Sequence, residues 1–202
     1  MLLREPVRLT GAGRTDAGVH ALYYVAHFDA ERDDLHADAS LIGKLNGIIP
    51  REIVVYRIIA VPVGTHARYH AISRTYHYWI ATKKNPFTID LAYHFYRPLD
   101  VEKMNEAAAI LPKYKDFTSF SKLHSDAKTN LCDVLHAQWF DDRDGELRFE
   151  ITANRFLRNM VRAIVGTMIE IGLGTYPPAD IRKIILEKNR TAAGTSVPPQ
   201  GL

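Results

Sequence analysis

Residues 11–21, with the sequence GAGRTDAGVHA, have the composition in this chain that most strongly indicates chemistry. Small residues let a backbone approach a ligand closely, and here they leave Arg14 and Asp16 as the only fully charged side chains of the segment. A carboxylate in such a setting can act as a nucleophile or as a general base. The same composition also fits a tight turn whose aspartate caps a neighbouring backbone group.

A phosphate-binding loop is a third interpretation of this segment, and the glycine spacing disfavours it. Gly11, Gly13 and Gly18 do not form the GxGxxG pattern of dinucleotide-binding folds. The Lys-Ser or Lys-Thr pair that ends a Walker loop is also missing from the segment. A nucleotide cradle is therefore not the function we predict here.

Metal and thiol chemistry find little support in the sequence. The nine histidines are scattered, with no HExxH or CxxC pattern beside them, so we predict no metal site and no cofactor. The single cysteine, Cys132, could be a nucleophile, but it lies in the apolar run TNLCDVL. We predict that it is a small buried hydrophobic residue.

The overall composition is that of an ordinary globular protein, with 202 residues, 47% hydrophobic residues and a formal net charge of +3. No apolar stretch is long enough to cross a bilayer, and the first residues, MLLREP, lack the apolar region of a signal peptide. We therefore expect a cytoplasmic protein without membrane contact. Five arginines lie within twenty residues, which fits either a solvated helix face or a set of phosphate contacts. They are Arg143, Arg148, Arg155, Arg158 and Arg162.

The candidate loop must be held by strands and helices, which we predict from periodicity. In the first part of the chain we expect strands at 7–10 and 21–28, a helix at 39–47, a buried strand at 53–61 and a linker at 62–65. In the second part we expect strands at 72–81, 130–140 and 146–152, and helices at 101–111, 155–172 and 180–188.

The order of these elements predicts an α+β fold with antiparallel sheets, because it lacks a regular βαβ rhythm. We place an N-terminal domain at residues 1–64 and a C-terminal domain at residues 65–202. Within the predicted helix at 155–172, Arg158 and Arg162 are four residues apart and would share one face.

Residues 13–21, GRTDAGVHA, closely resemble the signature of tRNA pseudouridine synthases of the TruA type. Four further segments resemble motifs of the same family in the same order along the chain. They are HARYHAISRTYHYWI at 66–80, DFTSF at 116–120, NRFLRNMVRAIVGTMIEIG at 154–172 and RTAAGTSVPPQGL at 190–202. Five ordered motifs across most of the chain make the resemblance specific.

The resemblance implies roles for four residues of this chain, and the positions of two arginines beside them suggest roles for those two as well. Asp16 would be the catalytic aspartate, Tyr76 the active-site tyrosine and Arg162 the active-site arginine. A guanidinium beside the carboxylate would favour its ionised form and fix its orientation. Tyr76 would stack on the uracil and move a proton, and Leu202 would line the uracil pocket. For Arg14 and Arg158 we expect substrate contacts: Arg14 would hold the space vacated by the base or grip a phosphate, and Arg158 would contact a phosphate.

The family also implies a fold and a reaction. The fold would have two domains, each a mainly antiparallel sheet with helices packed on one face, and a catalytic cleft between them. The enzyme would isomerise uridines 38, 39 and 40 of the tRNA anticodon arm, after base flipping and without a cofactor, as a homodimer. Whether Asp16 attacks the ribose or the base stays open.

Members of the family usually have a strand, a glycine-rich loop and a helix ahead of the first motif, and a strand after the last one. We therefore expect that this chain omits parts of a longer protein, and that unpaired sheet edges and exposed core result. Two other functions fit parts of the sequence. One is an RNA-binding module without catalysis, and the other is a hydrolase that uses Asp16 with a histidine such as His20.

Overall fold

The computed structural model describes residues 2–3, 5–122, 128–142 and 145–202, and these form two compact units. One unit comprises Met1–Arg14 and Leu22–Ala71, and the other comprises Thr15–Ala21 and Ile72–Leu202. The loop that carries Asp16 thus groups with the C-terminal part of the chain. The domain boundary predicted between residues 64 and 65 stays a prediction.

The second unit is built on a four-stranded sheet. Its strands are β3 (Arg74–Ala81), β4 (Tyr93–His94), β5 (Val134–Asp141) and β6 (Glu146–Ala153), in the spatial order β4-β3-β6-β5. β6 pairs antiparallel with both β3 and β5, and the short β4 runs parallel to β3. The predicted hairpin of β5 and β6 is therefore confirmed, while two residues of its predicted turn, Arg143 and Asp144, lie outside the described residues.

Alternation along the strands explains which side of this sheet is buried. Tyr78 and Ile80 of β3 and Phe149 and Ile151 of β6 are fully buried on one face, as the period of two requires. Three helices of the second unit are α2 (Val101–Ala108), α3 (Met160–Gly172) and α4 (Asp180–Glu187). α2 and α3 pack on each other, α2 packs on β5 and α3 on β3. Among the described residues no helix has the length and apolar character to cross a membrane.

The helix α3 is almost entirely buried, and its first turn differs from the prediction. Ile164 and Met168 are fully buried, as the 3.6-residue period predicts. The helix nevertheless begins at Met160, not at residue 155, because Asn159 has a left-handed backbone with φ of 67°. The residues before it, including Arg155 and Arg158, are therefore not on the helix.

The first unit contains fewer regular elements than its sequence predicts. Its strands are β1 (Thr10–Gly11) and β2 (Ala26–His27), which pair antiparallel, and its helix is α1 (Ala39–Ile48). Asp38 caps α1 by accepting a hydrogen bond from the Ser40 backbone N–H at 3.1 Å. The strands predicted at 7–10 and 21–28 are thus reduced to two residues each.

The buried strand predicted at 53–61 is wrong. None of these residues is in a strand, and the side chains of Ile53, Val54, Tyr56 and Ile59 are exposed. An apolar β-branched run indicates a preference for burial, but a strand forms only where a neighbouring strand completes the hydrogen-bond ladder. Here the Val55 backbone exchanges hydrogen bonds with the Asn46 side chain of α1 instead.

Burial of Cys132 gives a testable chemical consequence. The side chain is buried just before β5, and this burial raises the pKa of its thiol to about 11 from an ordinary 9.0. Because the thiolate is the reactive form, we expect alkylation by iodoacetamide at pH 8 to be roughly 100-fold slower in the folded protein than in urea. Mass spectrometry of this single cysteine would follow the reaction. Labelling rates within tenfold of each other would contradict the burial.

Candidate active site

Asp16 lies at the start of a tight turn in the loop Thr15–Ala21. The Val19 backbone N–H donates to the Asp16 carbonyl at 3.4 Å, and Gly18 has φ of +83°, which only glycine adopts easily. The turn interpretation of the sequence is therefore correct for the backbone. Because a backbone hydrogen bond closes the turn, the Asp16 carboxylate is available to other partners.

The main partner of this carboxylate is Arg162 of α3. Arg162 Nη1 donates to Asp16 Oδ2 at 2.9 Å, and the two side chains are 18% and 31% exposed. Arg158 Nε lies 3.8 Å from Asp16 Oδ1, and its side chain is 62% exposed. At 3.8 Å the Arg158 contact is an ion pair without a hydrogen bond. Arg162 thus fixes the orientation of the carboxylate, and Arg158 adds positive charge beside it.

Arg162 is itself held by a second contact. Its Nε donates to the carbonyl of Val197 at 2.7 Å, and the Val197 N–H donates back to the Arg162 carbonyl at 3.2 Å. A guanidinium is planar, so fixing Nε on one partner also fixes the direction in which Nη1 points. The backbone of residue 197 therefore aims the guanidinium at Asp16.

We call residues 193–202 the closing segment, because they run along α3 and end beside the Asp16 loop. A methyl group at Gly166 would overlap the carbonyl oxygen of Thr195, and one at Gly194 would lie 2.9 Å from the Cα of Thr167. The Gly194 N–H also donates to Thr167 Oγ1 at 2.9 Å. Two glycines thus let the segment approach the helix at backbone distance.

The far end of the closing segment contacts both β3 and the Asp16 loop. The Tyr78 hydroxyl donates to the Pro198 carbonyl at 2.7 Å, and the His20 backbone N–H donates to the Leu202 carbonyl at 2.9 Å. Burial raises the pKa of Tyr78 well above its ordinary value; Tyr93 adds to the effect and Arg162 offsets part of it. Tyr78 is therefore a neutral hydrogen-bond donor at physiological pH.

Tyr76 and Leu202, the two predicted pocket residues, are both half-buried at the edge of the core. Tyr76 lies on β3 opposite Ile151, and its ring meets that of Phe156 edge-to-face with centroids 5.0 Å apart. Phe156 follows β6 and precedes α3. The Tyr76 ring is thus fixed by the segment that leads into the helix of Arg162.

Arg14 belongs to the first unit and lines a concavity of about 350 Å³ there. Arg8, Arg68, His66 and Tyr69 line the same concavity. Burial lowers the pKa of His66, and His27, His70 and Arg68 lower it further by their positive charge. The lowered pKa favours neutral His66, so the positive charge of the concavity comes from Arg8, Arg14 and Arg68, and such a surface attracts phosphate groups.

The arginine run of the sequence does not form one helix face. Arg148 lies on β6, where it pairs with Asp142 and Glu150, and only Arg162 lies on α3. Arg143 is outside the described residues. The prediction that Arg158 lies one helical turn before Arg162 is therefore wrong, although both side chains reach Asp16.

Several groups that hold the site were not predicted as site residues. They are the Val197 carbonyl, Tyr78 and the glycines at the contact between α3 and the closing segment, and none of them carries a group that would react with a substrate. Gly166 was a sequence indication that another segment approaches this helix. It follows Arg162 by four residues and leaves a gap on the same helix face. His20, the alternative partner of Asp16, directs its ring to the Asp90 carbonyl at 2.7 Å. Within the described ranges, no group of three or more His, Cys, Asp or Glu residues could hold a metal ion.

The fold and site define a protein of mixed α and β content, in which an arginine of a buried helix orients one carboxylate at the candidate centre. A family model described as tRNA pseudouridine synthase matches residues 114–202. A protein of Porphyromonas gingivalis named tRNA pseudouridine synthase A is 52% identical over 202 residues, which is all of this chain and 80% of that protein.

Similar matches extend to other bacteria. The Bacteroides fragilis protein of the same name is 52% identical over 200 residues, covering 99% of this chain and 79% of its own length. The Bacillus licheniformis protein of the same name is 39% identical over 201 residues, covering 98% of this chain and 80% of its own length. The chain therefore belongs to the tRNA pseudouridine synthase family, a family of isomerases.

The close approach at Gly166 predicts a specific effect of adding one methyl group. In Gly166→Ala the new Cβ would displace the Thr195 carbonyl, so we expect a loss of about 1–3 kcal/mol in the free energy of unfolding. We also expect a reduced rate of catalysis, because Val197 would move away from Arg162. Urea denaturation and steady-state kinetics would measure the two effects.

Gly43→Ala is the matched control, since Gly43 is also helical and a Cβ there would meet nothing within 4 Å. Alanine should stabilise that helix by about 0.5–1 kcal/mol. Equal effects of the two substitutions would contradict the contact at Gly166.

Proposed function

We propose that Asp16 is the catalytic residue of a tRNA pseudouridine synthase that isomerises uridine to pseudouridine. The observation that carries this proposal is the 2.9 Å hydrogen bond between Arg162 Nη1 and Asp16 Oδ2, in a chain of this family. Asp16 comes from the loop at the start of the chain and Arg162 from α3. A turn and a buried helix hold them, so the carboxylate is oriented before substrate arrives.

The reaction breaks the bond between uracil N1 and ribose C1′, turns the base, and forms a bond from C5 to C1′. The proton lost from C5 is balanced by the proton gained at N1, so substrate and product are isomers and no redox equivalent is consumed. Asp16 would supply a carboxylate that attacks either the ribose or the base. Both attacks require an ionised carboxylate with one oxygen directed at the nucleotide.

Arg162 and Arg158 support that requirement in different ways. Arg162 engages Oδ2 of Asp16 and is held from behind by Val197, so the other oxygen, Oδ1, is the one that would face the substrate. Arg158 lies 3.8 Å from Oδ1 and is largely exposed. It would swing to a phosphate of the RNA when the nucleotide enters, which is the substrate contact we propose for it.

The pocket for the uracil would be formed by Tyr76 and Leu202. Tyr76 offers an aromatic ring for stacking and a hydroxyl for moving the proton from C5, and Phe156 holds the ring in place. Leu202 would supply an apolar wall, and the hydrogen bond from His20 to its carbonyl ties that wall to the Asp16 loop. Such a pocket would keep water away from the reacting base.

The finer details of the function rest on the resemblance of the motifs. We propose that the target nucleotides are uridines 38, 39 and 40 of the anticodon stem-loop, and that each must be flipped out of the stack. We also propose a two-domain arrangement with the catalytic cleft between the domains, and a homodimer that binds tRNA. Arg14 would then hold the vacated space or grip a phosphate.

Removal of the Asp16 carboxylate is the direct test of the proposal. Asp16→Asn and Asp16→Ala should fold and bind tRNA but form no pseudouridine, because neither retains a nucleophilic oxygen anion. Conversion of an unmodified tRNA transcript, read by pseudouridine-specific chemical mapping, would measure the product. Binding of the same transcript is the control for folding. Turnover near the wild-type rate in either variant would remove Asp16 from the mechanism, whereas tRNA binding without turnover in the wild-type protein would favour a function in RNA binding alone.

If the charged concavity of the first unit binds RNA, removal of an arginine that lines it should weaken substrate binding. Arg14→Ala should raise KM for tRNA, and the slope of log binding constant against log salt should fall by about one unit if a phosphate contact is lost. Arg57→Ala is the matched control, because Arg57 is an exposed arginine of the same unit outside the concavity. Unchanged binding and turnover in Arg14→Ala would remove Arg14 from the substrate site.

A further inference from the structure

Arg190 follows α4 and has no role in the chemistry described above, yet it is half-buried and makes three hydrogen bonds to the closing segment. Its Nη1 donates to the carbonyls of Ala193 and Gly194 at 3.2 and 3.1 Å, and its Nη2 donates to Ser196 Oγ at 2.9 Å. Arg190 thus holds the first half of the closing segment in a bent path.

Ser196 is the point at which this network meets α3. Its hydroxyl oxygen accepts a hydrogen bond from Arg190 and another from Asn159 Nδ2. Asn159 is the left-handed residue directly before the first turn of α3. The Ser196 side chain is therefore fixed from two directions, by the turn after α4 and by the start of the helix that carries Arg162.

The next residue, Val197, transmits this placement to the candidate site. Its carbonyl accepts from Arg162 Nε at 2.7 Å, and Arg162 Nη1 reaches Asp16 at 2.9 Å. Hydrogen bonds, together with the Ser196 side chain and the backbone of residues 196 and 197, therefore connect the Arg190 guanidinium to the Asp16 carboxylate. Each contact in the series lies within the second unit.

We propose that Arg190 is a positioning residue for the Asp16–Arg162 pair, acting through Ser196 and the Val197 carbonyl. The inference rests on the proposed function of Asp16 and Arg162. Arg190 touches neither of the reacting groups. It fixes the backbone that determines where the Arg162 guanidinium points, and a displacement of about 1 Å in such supporting structure can cost roughly 100-fold in rate.

The geometry requires an arginine at this position. The planar guanidinium directs one nitrogen at two carbonyl oxygens and another at a hydroxyl, which a single ammonium group cannot reproduce in the same directions. We therefore expect Arg190→Lys to resemble Arg190→Ala in kcat, although it retains the charge. A role that depended on charge alone would leave Arg190→Lys near wild type.

The test compares Arg190→Ala with a substitution that removes similar bonds elsewhere in the same unit. Asn105 is half-buried and exchanges two hydrogen bonds with the Trp139 backbone of β5. Asn105→Ala should therefore lower the thermal midpoint by a comparable amount without affecting the Asp16–Arg162 pair. In the complete protein, we expect kcat for tRNA pseudouridylation to fall at least tenfold in Arg190→Ala and less than twofold in Asn105→Ala, with KM within twofold in both.

A double-mutant cycle then tests whether Arg190 acts through Ser196. Ser196→Ala should also lower kcat, and the double variant should lose no more than the stronger single one, because both changes release the same carbonyl. Arg162→Lys gives the upper limit of the loss expected when the guanidinium is misdirected. The proposal would be overturned if the losses in activation free energy of the two single variants added in the double variant. It would also be overturned if Arg190→Ala changed only KM, or if it lowered kcat no more than Asn105→Ala does.

The same measurements separate this inference from the proposed function. If the wild-type protein and Asn105→Ala form pseudouridine and Asp16→Ala does not, the assignment of Asp16 stands whatever Arg190→Ala does. If the wild-type protein forms none, the proposed function fails. If wild type is active and Arg190→Ala keeps its kcat, only the positioning role of Arg190 is lost.

Discussion

The guanidinium of Arg162 binds a backbone carbonyl and a carboxylate at the same time. These two contacts connect α3, the closing segment and the Asp16 loop of the second unit. Nε binds Val197 and Nη1 binds Asp16, at 2.7 and 2.9 Å. Both side chains of the ion pair are mostly shielded from solvent, so the pair is screened less than a surface pair. The pair matters for the orientation of the carboxylate more than for the free energy of unfolding. A planar donor fixed at two points leaves the carboxylate one orientation, and a defined orientation is what a nucleophile or base needs.

The helix that carries Arg162 is almost completely buried, and this burial keeps the guanidinium in place. α3 packs on α2 and on β3, and Ile164 and Met168 are inaccessible to solvent. A helix embedded in a close-packed core moves little, because core packing tolerates no large shift of one element. The closing segment then holds the Arg162 guanidinium at a second point, the Val197 carbonyl. It can reach Arg162 only because Gly166 and Gly194 allow backbone contact between the segment and α3. Packing thus supplies rigidity to the helix, and hydrogen bonds from Tyr78 and Arg190 supply it to the segment.

Sequence reasoning predicted the parts of this arrangement that repeat with a regular period. The buried face of α3 and the hairpin of β5 and β6 follow from periods of 3.6 and two. It failed where a tertiary contact decides the outcome. The apolar run at 53–61 has no strand partner among the described residues, and one left-handed residue, Asn159, delays the start of α3. The motifs indicated Asp16 and Arg162, but the backbone carbonyl that holds Arg162 could not be identified from the sequence, since every residue has such a carbonyl.

The candidate site also joins distant parts of the chain, and this has a consequence for when the site exists. Asp16 and Arg162 are 146 residues apart, and the loop of Asp16 is tied at His20 to the carbonyl of Leu202. Contacts of such high sequence separation form only when the intervening chain has folded, because the entropy of closing the loop must first be offset by packing. A partly folded chain would therefore have an aspartate and an arginine but no oriented pair. Since the closing segment contributes the Val197 carbonyl that holds Arg162, its docking on α3 completes the candidate site, and the oriented Asp16–Arg162 pair exists only when the second unit has folded as a whole.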